Sequence, residues 1–157
     1  MAFIREISRY MNNGCLFSKL KINSVSEMPG VYLIGLAKGV DDIKILNDTT
    51  AIKTYNGEDM IFHNTEELYE KWKRGNKVIL SIGQTNNLRR RVKQFYNYAL
   101  GKSDNHRGES VLWQVENWQD IYRLYWSEAD DNGLKSYLLN LHIFDYTCET
   151  FANGNKH

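Results

Sequence analysis

Ser81-Ile-Gly-Gln-Thr-Asn-Asn-Leu-Arg-Arg-Arg-Val-Lys-Gln-Phe95 decides the reading of this chain. The apolar run Val78 to Ile82 predicts a buried strand ending at Gly83. A polar turn follows, and Asn86 or Asn87 is placed to cap a helix that opens with three consecutive arginines. On that helix Leu88, Val92, Phe95 and Ala99 make one apolar face, and Gly101 stops it. Glycine backbone, free amides at a helix start and guanidinium groups beside them suit a nucleic-acid phosphate. Upstream, Pro29-Gly30 is a turn signal, and Val31 to Leu36 is a second buried-strand run, carrying Tyr32.

Outward from these two strands the pattern is mixed. Phe3, Ile4 and Ile7 predict a short helix over 2–11, ended by Asn12-Asn13-Gly14. Short strands are expected at Ile43 to Leu46, Ala51 to Tyr55 and Met60 to Phe62, with Asn56-Gly57 as a hairpin turn. Asn64-Thr65 offers a cap for a helix to Arg74. Val111 to Val115 fits a strand or a short helix, and Ile121 to Trp126 is a strand followed by the acidic turn Glu128 to Gly133. Leu134, Leu138 and Leu141 mark a last helix to about Phe144. With no repeats and no evident boundary, residues 1–157 read as one mixed α/β domain.

At 157 residues the chain can bury a core without disulfides or metal. Cys15 and Cys148 are expected to be reduced, since no export signal precedes them. No run approaches the roughly 18 apolar residues of a membrane span, so a cytoplasmic protein with no membrane partner is expected. The net charge of +1 hides an asymmetry. From Lys71 to Lys93 there are eight basic residues and no acidic ones, against twelve basic and nineteen acidic elsewhere. One basic face for a polyanion would follow, or merely a solvated helix. The histidines are scattered, without zinc-ligand spacing, and neither a dinucleotide fingerprint nor a P-loop is present.

Gly30-Val31-Tyr32, then Ser81-Ile82-Gly83, then Arg91 eight residues after that glycine, in this order resembles the GIY-YIG nuclease family. Gly101-Lys102, His106-Arg107-Gly108, Leu112-Trp113-Gln114, Trp126 and Phe151-Ala152-Asn153 look like the pattern of one bacterial branch. Each motif is weak alone; their order and spacing carry the resemblance, over about 28–155 with an insertion at about 37–77. It implies an α+β fold, a small central antiparallel sheet flanked by helices, and metal-dependent hydrolysis of a DNA phosphodiester with Mg²⁺ or Mn²⁺. Tyr32 would activate or orient the attacking water, and Arg91 would stabilise the developing charge with a fork that lysine cannot copy. His106 would hold the water or protonate the leaving group, with Asn153 a polar residue near the site. Gly83, Arg89, Arg90 and Lys93 would meet the substrate. The structural alternatives are ordinary ones: a core tyrosine, solvated arginines, an exposed histidine and a turn asparagine.

Three positions depart from the family. Ser81 stands where the second tripeptide has tyrosine, and Glu109-Ser110 follows His106-Arg107-Gly108 where the branch has glycine and arginine. Lys135 stands where the family has its metal-binding glutamate, and an ammonium group repels Mg²⁺. Glu128, Asp130, Asp131 or Glu149 would have to supply the ligand instead. Alternatively, Lys135 is an inactivating substitution, or the domain binds nucleic acid through its basic 71–93 face without cutting it and without a cofactor. A protein-interaction domain is the further alternative. Oligomeric state is not legible.

Overall fold

The computed structural model describes residues 11, 13–51, 54–55, 58–59, 64–74, 79–102 and 110–128. β-branched and aromatic residues crowd β2 (Gly30–Leu36), and every position of it is buried. A strand buried on both faces belongs in the middle of a covered sheet. β2 lies between β5 (Ile79–Thr85) and β6 (Tyr122–Glu128), antiparallel to both, and β1 (Asn13–Leu16) pairs with the far edge of β6. The sheet order is β1-β6-β2-β5. With α1 (Thr65–Arg74), α2 (Leu88–Ala99) and the single-turn α3 (Trp118–Ile121), this is the expected α+β class with a small antiparallel sheet.

Capping set the helix starts. Asn64 Oδ1 accepts from the amides of Glu66 and Glu67 at 2.8 and 3.2 Å, and Asn87 Oδ1 accepts from Arg90 N at 2.9 Å. The predicted apolar face of α2 is the observed one, with Leu88, Val92, Phe95 and Ala99 all fully buried. β3 (Thr54–Tyr55) and β4 (Glu58–Asp59) pair with Tyr55 opposite Glu58, flanking the Asn56-Gly57 dipeptide.

Several expectations are corrected. β5 does not end at Gly83 but runs to Thr85, because Gln84 and Thr85 pair with Val31 and Gly30. Tertiary pairing extends the strand beyond its apolar run. Asn13–Leu16 is an edge strand rather than the end of a helix followed by loop; its four residues carry too little pattern to announce it. Ile43 to Leu46 is not a strand. Ile45 makes a single bridge to Val115, because the facing segment Ser110–Gln114 is a 3₁₀ turn with no ladder to offer. Glu128 ends β6 instead of opening a turn, and Ile121 closes α3 before β6 begins. The expected helices over 2–11 and 134–144 and the strand Met60 to Phe62 lie outside the described residues.

Between β2 and β5 the register slips: Ile34 faces Ser81 but Gly35 faces Ile79, leaving Leu80 as an extra residue. A bulge of this kind turns both neighbours toward one side, and Leu80 and Ser81 are both fully buried. The core between the sheet and α2 is aromatic. Phe17 meets Phe95, Tyr96, Trp113 and Trp118 with centroids 5.6–6.3 Å apart. Within the insertion, Tyr69 Oη accepts from Ile45 N at 2.9 Å and Trp72 Nε1 donates to Asp42 at 3.1 Å, tying α1 to the loop before it. Among the described residues no helix is long and apolar enough to cross a membrane.

Candidate functional site

Cross-strand pairing places Tyr32 between Gly83 on β5 and Trp126 on β6, all on one face of the sheet. Any side chain at Gly83 would run into the Tyr32 ring and hydroxyl, so the phenol lies over bare backbone there. The glycine that was expected to approach a phosphate therefore makes room for the tyrosine instead. Phe95 of α2 closes over the ring at a centroid distance of 5.4 Å, leaving Tyr32 only 2% exposed. One helical turn earlier on α2, Arg91 turns inward. Its Nε donates to Tyr32 Oη at 3.1 Å, and its Cζ stands 5.8 Å from the ring centroid. The two residues singled out from sequence, 59 positions apart, meet in one hydrogen bond.

The helix start does not offer the expected free amides. Asn87 N donates to Thr85 Oγ1 (3.2 Å), Leu88 N to Met28 O (3.0 Å), Arg89 N to Ser26 O (2.8 Å) and Arg90 N to Asn87 Oδ1 (2.9 Å). Those are the four donors that a helix cannot satisfy by itself. The segment 23–28 folds across the helix end and takes two of them, so this helix start has no amide left for an anion.

Arg89 has a different fate from the one expected of a substrate-binding residue. Its Nε donates to Val25 O at 2.8 Å, Nη1 to Glu27 at 2.7 Å and Nη2 to Asn23 O at 3.1 Å. All three guanidinium nitrogens are engaged by one loop. Arg90 and Lys93 are exposed and remain on the surface of α2. Ser81 is a fully buried hydroxyl opposite Ile34. In α1, Lys73 stands 3.4 Å from Glu70, so the basic run carries less unpaired charge than its composition suggests.

Glu128 lies opposite Gly30, on the face that holds Tyr32, and is exposed. It is the only carboxylate of the four-stranded sheet among the described residues. No group of three His, Cys, Asp or Glu able to hold a metal ion occurs among them. His106, Asp130, Asp131, Lys135, Glu149 and Asn153 lie outside them. Sequence reasoning missed Trp126 and Phe95 as the walls of the tyrosine site. Trp126 was detectable only through strand register, and Phe95 was legible as core but not as a partner of Tyr32.

A second feature was also missed. The insertion loop and α3 enclose an open cavity of about 470 Å³ lined by Thr49, Trp113 and Trp118, with Asp48, Glu116 and Asp120 also on its walls and no basic residue. It shares no lining residue with the Tyr32–Arg91 site, to which the aromatic core links it. Compared with family models, curated proteins and solved structures, the chain matches none.

Proposed function

We propose that this chain is a divergent GIY-YIG-type endonuclease domain acting on a DNA phosphodiester at Tyr32 and Arg91. The observation that carries it is the 3.1 Å bond from Arg91 Nε to Tyr32 Oη, which joins the strand and helix positions the family motif pairs. Hydrolysis of a phosphodiester builds negative charge on the phosphoryl oxygens. A guanidinium beside that centre stabilises the charge and is worth about 10²-fold or more in rate where it acts in the transition state. The same guanidinium fixes the phenol oxygen, so the hydroxyl can orient water rather than rotate. Arg90 and Lys93 supply the exposed charge that holds the backbone of the nucleic acid. A divalent ion, held by Glu128 or by one of Asp130, Asp131 and Glu149, would add Lewis-acid stabilisation of the phosphoryl oxygens.

A second reading is favoured by Lys135, an ammonium group where the family has its metal-binding glutamate: a module that binds nucleic acid without cutting it. Nicking of supercoiled plasmid with Mg²⁺ or Mn²⁺ separates the two. The expected result is cleavage by the chain or by Lys135→Glu, abolished when Arg91→Ala is added. Salt-sensitive binding without cleavage by either protein selects the binding module. Neither cleavage nor DNA binding at low salt would overturn both and leave an interaction domain.

A further inference from the structure

Arg89 and Arg91 stand two residues apart on α2, and the structure gives them linked tasks. We propose that Arg89 is a positioning residue: by clamping segment 23–28 to the first turn of α2, it sets the contact between Arg91 and Tyr32. The catalytic consequence rests on the nuclease site proposed above; the clamp itself does not.

The tethers are short on both sides. Segment 23–28 leads through Pro29-Gly30-Val31 directly to Tyr32, so the clamp is only four residues from the phenol. Arg89 is less than one helical turn from Arg91. Between them, Leu88 sits where a side chain on Gly30 would have to go, so the helix start and the strand start already touch. A displacement of the α2 start relative to β2 therefore passes straight into the Nε–Oη distance, with no flexible segment to absorb it.

The clamp is built for direction rather than for charge. Two of its three acceptors are the backbone carbonyls of Asn23 and Val25, and Val25 is itself fully buried. Glu27, the third, is 66% exposed, and such an ion pair contributes little by itself. Three acceptors in three directions need a planar fork, which an ammonium group cannot reproduce. The amides of Leu88 and Arg89, donated to Met28 and Ser26, close the same seam from the helix side.

The test is hydrogen exchange of the Arg91 Nε–H by NMR, which needs neither DNA nor metal and so stands or falls independently of nuclease activity. In Arg89→Met the Arg91 Nε–H should exchange about tenfold faster, as for loss of one hydrogen bond to a charged group. The backbone amides of β2 and of the later turns of α2 should keep their protection. Arg89→Lys should resemble Arg89→Met more than the parent. Unchanged Nε–H exchange would overturn the proposal, and so would an increase shared equally by all those amides, which is the signature of a merely structural residue. Should Arg89→Met fail to fold, Arg89→Lys carries the test alone, keeping the charge and the stem while losing the fork. The expected change is then an acceleration at Arg91 alone, and no change there counts against the clamp.

Discussion

Segment 23–28 at the start of α2 and segment 46–51 beside α3 are both held down by side chains donating to backbone carbonyls, but with different chemistry. The first is held by a guanidinium, Arg89. The second is held by neutral groups: Thr49 Oγ1 donates to Trp113 O and Thr50 Oγ1 to Ala99 O, both at 2.8 Å, and Gln114 Nε2 to Leu46 O at 3.1 Å. In the first region a positive charge is drawn into the architecture. In the second, Asp48, Glu116 and Asp120 stay on the rim of the cavity, unopposed by any basic residue of its lining. The contrast separates a charge built into the fold from carboxylates that line an open surface. The regions meet through a chain of ring contacts: Tyr32 tilted against Phe95 at 5.4 Å, Phe95 stacked on Trp113 at 6.4 Å and Trp113 edge-on to Trp118 at 4.6 Å.

Removing the shared ring should do most damage. Trp113→Ala empties a fully buried site and is expected to cost about 3–5 kcal/mol in chemical denaturation, loosening both regions together. A loss confined to the cavity, with the Tyr32 surroundings unchanged by NMR, would mean the rings do not couple the two. Gly83→Ala strikes the first region alone. The new methyl meets the Tyr32 ring, and the expected cost is about 1–3 kcal/mol with loss of the Arg91 contact. Full stability there would show that the ring can move aside freely.

The second region can be addressed through pH. Burial pushes the Tyr122 phenol well above its usual value, while its hydroxyl donates to Leu112 O at 2.9 Å. An unfolded tyrosine ionises near pH 10, so the unfolded chain releases that proton first as pH rises. The stability is therefore complete below about pH 10 and is lost as pH climbs toward the folded value. Tyr122→Phe should cost about 1 kcal/mol at neutral pH and flatten the alkaline decline. An unaltered decline would assign it to other tyrosines. The smallest effect is on binding. Arg90→Ala and Lys93→Ala should each lower the salt slope of DNA binding by about 1, whereas Arg89→Ala should barely alter it. Equal slopes for all three would erase the distinction between built-in and displayed charge.

What could be read from the sequence was local. The α2 face, both asparagine caps, the β2 run and the Asn-Gly hairpin all follow from spacing and side-chain chemistry within a few residues. What could not be read depends on chain arriving from elsewhere. β5 extends through Gln84 and Thr85 because β2 offers them partners, and β1 exists because β6 does. Free amides were a sound expectation for a bare helix start and failed because Ser26 and Met28 reach it first. The sharpest case is the arginine triplet. At about 100° per residue, Arg89 and Arg91 point ~200° apart around the helix. One faces a loop and the other a tyrosine, a difference that identical side chains cannot announce. The pairing of Tyr32 with Arg91 was anticipated only through the ordered motifs of the family resemblance.

Trp126 stands directly opposite Tyr32 across the β2–β6 ladder, and Trp113 is one ring further through Phe95. Light absorbed by the Tyr32 phenol will therefore pass to neighbouring indoles instead of leaving as tyrosine emission. A ligand that draws Arg91 away from Tyr32 is therefore expected to change the emission of Trp126, and replacing Trp126 with phenylalanine should remove that change from the signal of the four tryptophans. The protein carries its own optical gauge of that contact, readable in dilute solution without a label.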